Sequence, residues 1–462
     1  MDYKHIHFIG IGGIGMSGIA SILRDNRGVT VSGSDIKNSH LLDSLRERGI
    51  NVFLGHRPEN IAGADLVVYS SAITPDNAEF AEAKRRSIPL IKRAECLAEL
   101  MKDKAAITIS GSHGKTTTTS LVTHMLIQAG FAPTAAIGGI VKNWNNNIYL
   151  GESRYFVAEA DESDGTFLKY EPLYSILTNI DYEHLDYYKD YASIIKVFRQ
   201  FMEKTKEDGC LIACADDFNI KRILADFRKP FITFGLNKGC DVSASKIEQN
   251  GFASKFDCLY HDKFLGRFTL SIPGIHNISN SLAVIALGQK LGIDEETIHK
   301  SLLTYKGAER RLEIKGESRE YLIIDDYAHH PTEIKATLDA ARTIAEHKSY
   351  KRIIAVFQPH RFSRTKFLLD EFSESFHQAD YLIITDIYAA SEVPIAGVNA
   401  RNLYDKIKQK GKKNIEFVKK EEILRRILDI AASGDLIITL GAGDIGKLSD
   451  ELSSELVKTG KI

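Results

Sequence analysis

Twice in its first third, the chain runs an apolar strand straight into a glycine-rich loop and out into a helix, at 5–20 and at 105–129. A strand that turns directly into a helix meets its next strand through a crossover, so parallel pairing and an α/β fold follow. The rest of the chain reads the same way, in three blocks. The first has strands at His5–Ile9, Val29–Ser32 and Leu66–Ser70, with helical stretches near Leu41–Arg48 and Asn77–Arg86. After the charged break Lys102–Lys104, the second has strands at Ala105–Ser110, Tyr155–Glu159 and Tyr174–Leu177, and helix at Ser120–Ala129. It runs to about Tyr305, where the polar, glycine-containing Lys306–Arg311 marks a boundary. The third has strands at Tyr321–Ile324, Ile353–Phe357, Tyr381–Thr385 and Leu436–Leu440. At about 150 residues per domain, the length also suggests about three domains. The expected division is 1–103, 104–307 and 308–462.

Charge and cysteine content narrow the function classes. Sixty Lys and Arg stand against 61 Asp and Glu, a formal net charge of -1. That balance argues against nucleic-acid or membrane-surface binding driven by bulk charge. Cys96, Cys210, Cys214, Cys240 and Cys258 are odd in number and scattered, which opposes a disulfide framework and fits a reducing cytoplasm. The apolar run Ile6–Leu23 is long enough to suggest a membrane span, but its five glycines fit a strand, a turn and a helix start better. No membrane insertion is expected.

The first loop, Gly10-Ile11-Gly12-Gly13-Ile14-Gly15, satisfies GxGxxG between strand and helix, and Asp35 follows twenty residues on. Glycines let backbone approach a diphosphate, and the helix start offers free N–H groups and a positive dipole end. Any nucleotide diphosphate suits that chemistry. The second loop, Gly111-Ser112-His113-Gly114-Lys115-Thr116-Thr117, lacks the first glycine spacing of a P-loop but keeps its working end, GKT. Lys115 is placed to reach terminal phosphates, and the Thr116 hydroxyl to coordinate Mg²⁺. Downstream, an apolar strand ends in the carboxylates Glu159, Asp161, Glu162 and Asp164, hard oxygen donors of the kind Mg²⁺ takes. His184 lies among carboxylates in Glu183-His184-Leu185-Asp186 after another strand, either a further metal ligand or a surface turn.

Two nucleotide loops on one chain, with the segments that follow, resemble the Mur ligases of peptidoglycan synthesis, which are similar to folylpolyglutamate synthases. HFIGIGGIGMSGIA (7–20), GSHGKTTTT (111–119), EADESD (159–164) and EHLD (183–186) carry the resemblance. So do GIHNISN (274–280), the GAERR hinge (307–311), DYAHHP (326–331) and QPHRFSRT (358–365). GxGxxG and GxxGKT are weak singly; the ordered set spans nearly the whole chain.

The resemblance implies a Rossmann-like UDP-sugar domain, a central P-loop-type ATPase domain and a Rossmann-like amino-acid-binding domain. It also implies a reaction. ATP phosphorylates the lactyl carboxylate of UDP-N-acetylmuramate, and the amine of L-alanine attacks the acyl phosphate. Lys115, Glu159, His184, His329 and His360 are then the catalytic candidates, with Thr116, Glu159 and His184 on Mg²⁺. Gly111 to Thr117 with His276, Asn277, Asn280, Arg310 and Asp326 would hold ATP. Gly12, Gly13, Ile14, Gly15, Asp35, His56 and Ser70 would hold the UDP-sugar. Tyr327, His329, Arg361 and Arg364 would meet the amino acid or the muramyl end. Arg361 and Arg364, three apart, would both face a carboxylate if helical. A cytoplasmic monomer or homodimer is implied.

Sister ligases use a carbamylated lysine; Lys196 lies in the relevant stretch beside Phe198, and none is assigned. Gly441–Gly446 is a third GxGxxG, but no ribose-binding acid follows, so it reads as a tight turn. His5 and His7 share one strand face and read as structural, and Trp144 as a loop anchor. An NAD-dependent oxidoreductase would leave Lys115, Thr116 and the acids idle. A spent nucleotide-binding module would not need them, and a ligase of intact tripeptide differs in its first glycine loop.

Overall fold

The computed structural model describes residues 3–70, 72–184, 187–390 and 392–458. Leu185 and Asp186 of the EHLD segment lie outside the described residues. Three sheets follow one another along the chain. The first is all parallel, in the order Asn51–Leu54, Thr30–Asp35, His5–Ile9, Leu66–Tyr69, Leu90–Lys92. His5–Ile9 is buried almost throughout and sits at the centre, as expected of a strand covered on both faces. The helix Ile14–Arg27 leaves it after four residues of loop, so the run Ile6–Leu23 is strand, turn and helix. Among the described residues no helix is long and apolar enough to cross a membrane.

The second sheet has ten strands. Its parallel heart is Phe231–Gly235, Cys210–Cys214, Tyr174–Leu177, Ala105–Ser110, Tyr155–Glu159 and Thr134–Val141. The helix Lys115–Gln128 begins at the lysine itself, five residues before the expected start, and is buried from Thr116 to Leu126. Sequence reading places no strand at 242–270, yet three antiparallel strands extend the sheet there. Their alternating polar residues face solvent, which hides them from a search for apolar runs. The third sheet runs Glu313–Glu317, Tyr321–Asp326, Asp435–Leu440, Arg352–Phe357, Tyr381–Ile384, Ile415–Phe417, with only the first strand antiparallel.

The cores show how the blocks are joined. Most buried apolar residues of the first and second sheets, from Ile6 to Tyr305, form one continuous cluster, with Ile9, Ile61, Val67 and Ala83 in a small separate one. The helix Ile14–Arg27 packs on the hairpin Thr134–Val141/Asn146–Tyr149, where Asn147 Nδ2 donates to the Ile14 carbonyl. The third sheet has its own cores on either face. It meets the rest through backbone bonds of the 307–309 linker to Ile140 and Lys142, through ion pairs across the cleft, and through Phe252 of the central block, which packs on the edge of its core. Apolar continuity makes the first two blocks one body, while a mostly polar contact with one partly buried aromatic joins the third.

Candidate active site

Both glycine loops sit at the C-terminal ends of parallel strands, where a doubly wound sheet leaves a crevice. Gly114 adopts φ 84°, and a Cβ there would lie 2.7 Å from Asn280 Oδ1, so the second loop and the 274–280 segment are packed against each other. Asn280 Nδ2 donates to Asn277 Oδ1. His113, Gly114, Thr116, Thr117, His276, Asn277 and Asn280 line a cavity of about 420 Å3, closed on the far side by Arg311, Asp326 and Glu333 of the third domain. Burial pushes His276 down to about 4, so it is a neutral ring, and its Nδ1 has no partner. Burial pushes Asp326 up to about 6, although the N–H groups of Leu312 and Ala328 donate to it. Gly111 and Ser112 turn their carbonyls to Lys115 Nζ.

A second cavity, of about 450 Å3, joins all three domains. Gly13, Ile14, Gly15, Ser70 and Arg93 come from the first, Lys115, Thr116, Glu159, Asp161 and His184 from the second, and Tyr327, His329 and Arg364 from the third. Lys115 Nζ lies 2.9 Å from Glu162 Oε1. Burial opposes its charge, but Glu162 and Asp161 outweigh that and raise its pKa. Glu159 is raised by burial; Gly138 N–H donates to it and Thr116 contacts it. His184, at φ 57°, lies 3.5 Å from Glu162 and 3.9 Å from Glu183. The ligand atoms of Glu162, Glu183 and His184 lie within 4.8 Å of one another.

The remaining expected residues separate into those near the cavities and those turned away. Asp35 accepts the Gly12 N–H at 2.9 Å, so it braces the first loop. His56 bonds Ser34 Oγ and approaches the buried Glu79, as part of a polar core that also ties His5 and His7 through Ser32. Arg310 is turned from the first cavity: it bonds Asp325 and the carbonyls of Gly441 and Gly443. Its neighbour Arg311 lines both cavities instead. Left-handed backbone at Arg310 and Leu312 sets this alternation. Arg361 is not on the helix Phe362–Phe367 but at its N-cap, φ 70°, so the two arginines do not share a helix face. Arg361 approaches Glu392 at 3.9 Å, and Arg364 donates to Glu183 at 2.7 Å, though both line one small cavity. His360 stacks on Tyr388 and accepts from Arg364; burial pushes it down to about 3. Lys196 is exposed on its helix while Phe198 is buried. Trp144 packs edge-on against Tyr149.

Three family models match in chain order: Mur ligase family, catalytic domain, at 5–105; Mur ligase middle domain, at 109–288; and Mur ligase, glutamate ligase domain, at 310–443. The chain belongs to the Mur ligase family. A UDP-N-acetylmuramate–L-alanine ligase of Solibacter usitatus is 45% identical to this Mur ligase over 99% of this chain and 96% of its own length. The solved UDP-N-acetylmuramate-alanine ligase of Thermotoga maritima superposes with a TM-score of 0.84 at 30% identity, covering 99% of this chain and all of that one. A murein peptide ligase of Psychrobacter arcticus superposes at 0.73 with 25% identity, covering 98% of each chain.

Several residues of this Mur ligase's site escape sequence reasoning. Glu162, Glu183 and Asp161 stand in acid clusters from which sequence alone does not choose. Glu333 on the helix Pro331–Lys348 and Arg93 at the start of Arg93–Met101 carry no motif of their own. Glu333 Oε1 lies 3.1 Å from His113 Nδ1, whose other nitrogen lies 3.0 Å from Asp181. Burial works against charging His113, but the two carboxylates overcome it and push it up to about 10.

Proposed function

We propose that this chain joins L-alanine to the lactyl carboxylate of UDP-N-acetylmuramate in peptidoglycan precursor synthesis, converting ATP to ADP and phosphate. The observation that carries the reading is the single cavity onto which the first glycine loop, Lys115 and the third domain all open. Only a reaction that brings a nucleotide diphosphate, a terminal phosphate and a third reactant together needs that convergence.

A lactyl carboxylate oxygen attacks the γ-phosphorus, the bond to ADP breaks, and an acyl phosphate forms. The amine of L-alanine then attacks the acyl carbon; the tetrahedral intermediate expels phosphate and the nitrogen loses its proton. The protein's part is position and charge, not covalent chemistry. Lys115, held by Glu162 and two carbonyls, is preset to neutralise the transferring phosphoryl group. His276 offers a neutral ring to a base. His329 lines the cavity; His360 packs against it, neutral and committed to Arg364.

The donor set fits Mg²⁺. Thr116 and Glu159 present hard oxygens side by side, and His184 stands with Glu162 and Glu183. These residues would hold the ion, which would supply charge neutralisation to phosphoryl oxygens. Five buried free cysteines fit a reducing cytoplasm, and a monomer or homodimer is the proposed state.

The test is phosphate release from ATP with Mg²⁺, each substrate withheld in turn. Release should require both L-alanine and UDP-N-acetylmuramate, and Lys115→Ala should nearly abolish it. No release with all components present, or release supported by a tripeptide but not by L-alanine, would refute the reading.

A further inference from the structure

Among the described residues lining the shared cavity, the N-terminal domain contributes one cation, Arg93. It opens the helix Arg93–Met101 directly after the edge strand Leu90–Lys92. Its guanidinium faces two ways. Nη1 lies against the first glycine loop: a Cβ on Gly15 would sit 2.6 Å from it, and 3.3 Å from Arg93 Cδ. Nη2 lies 3.4 Å from Asp161 Oδ2 in the acid segment of the central domain. One arginine therefore spans from the diphosphate loop to the carboxylates around Lys115. Gly15 is needed for that span, since any side chain there would push the guanidinium off the loop.

The loop lacks a full positive charge of its own. The helix Ile14–Arg27 has no side-chain cap and offers only N–H groups and its dipole end. Lys115 and Arg364 are committed to Glu162 and Glu183 at 2.9 and 2.7 Å. The Arg93–Asp161 pair is different: long, made by one nitrogen, with side chains 32% and 39% exposed. Such a half-wet pair is worth little and is easily exchanged. A diphosphate offers the planar fork two parallel acceptors and more charge than one carboxylate.

We propose that Arg93 binds the diphosphate of the sugar nucleotide, leaving Asp161 for phosphate oxygens as the ligand seats on the Gly13–Gly15 loop. The inference rests on the sugar-nucleotide reading above. The exchange also frees the Asp161 carboxylate beside Lys115, so filling the first domain's site changes the charge at the second's.

Calorimetric titration of the full chain with UDP and with UDP-N-acetylmuramate tests it. Arg93→Met should weaken both ligands by the same factor, about ten- to a hundredfold for a lost charged hydrogen bond. It should leave the KM for ATP unchanged. Arg93→Lys should recover part of the loss, since it keeps the charge but not the fork. Asp161→Asn should tighten UDP, because the competing carboxylate is gone. A loss confined to UDP-N-acetylmuramate would overturn the proposal, placing the guanidinium on the lactyl carboxylate. So would unchanged UDP binding in Arg93→Met, or weaker UDP binding in Asp161→Asn. If the unaltered chain binds neither UDP nor UDP-N-acetylmuramate, the sugar-nucleotide reading itself fails, and this inference with it.

Discussion

Replacing Glu333 by Gln should loosen the closure of the third domain on the second glycine loop. Glu333 Oε2 accepts the N–H groups of His329 and His330 at the start of its helix, at 3.1 and 3.3 Å. Oε1 faces His113 in the second glycine loop. Gln keeps an acceptor for the helix start and loses the charge toward His113. A charge-assisted bond of this kind contributes about 1.5–3 kcal/mol, or roughly ten- to a hundredfold in the closing equilibrium. The side chains are 12% and 15% exposed, so solvent screens the pair little. The pH dependence has a definite sign. His113 is raised from 6.5 to about 10, so the stability it adds is complete below about 6.5 and drains away as pH climbs toward 10. Burial opposes the charge of Glu333, but His329 and His113 hold its pKa well below 4.5, so its share is lost only in acid. Asp181 stays beside His113 when the domains part, so only the share owed to Glu333 belongs to closure. Small-angle scattering of the ligand-free chain at pH 6, with the KM for ATP, measures the effect. Glu333→Gln should expand the molecule and raise that KM. A scattering profile and a KM indistinguishable from those of the unaltered chain would refute the latch.

Two further outcomes follow from the polar contacts. Glu79→Ala strands His7, Ser34, Asn60 and the Arg57 N–H in a buried pocket, which should cost about 3–5 kcal/mol in denaturant unfolding. Burial raises the Glu79 pKa but its hydrogen bonds lower it further, so the contribution should fade as pH falls; a loss under about 1 kcal/mol would contradict it. Arg364→Ala and Arg361→Ala should differ: Arg364 spans two domains to Glu183, so its loss should lower kcat, whereas the looser Arg361 should chiefly raise KM for one substrate. Equal effects on both constants would argue against separate roles.

The two loops were legible because their chemistry is local. Gly10–Gly15 and Gly111–Thr117 each need glycine between a strand and a helix, and strand bounds at Ala105–Ser110, Tyr155–Glu159 and Tyr174–Leu177 matched the apolar runs. The antiparallel strands at 242–270 were not, because half of each faces water and no apolar run marks them. Arg310 and Arg311 could not be told apart by spacing: left-handed backbone at Arg310 and Leu312 decides which guanidinium enters the cleft. Arg361 and Arg364 looked like one clamp because helical spacing was assumed, and a positive φ at Arg361 removes it from the helix.

Periodicity and glycine placement therefore determined the α/β architecture and the two glycine loops, since each depends on residues adjacent in the chain, and the ordered motifs carried the resemblance to the Mur ligases that implied the reaction. Which carboxylate holds Lys115, which arginine is drawn away from the cavities and how Glu333 meets His113 depend on residues from 15 to 220 positions apart. Those pairings are set by how three sheets pack, and by the large cost of leaving a buried charge without a partner.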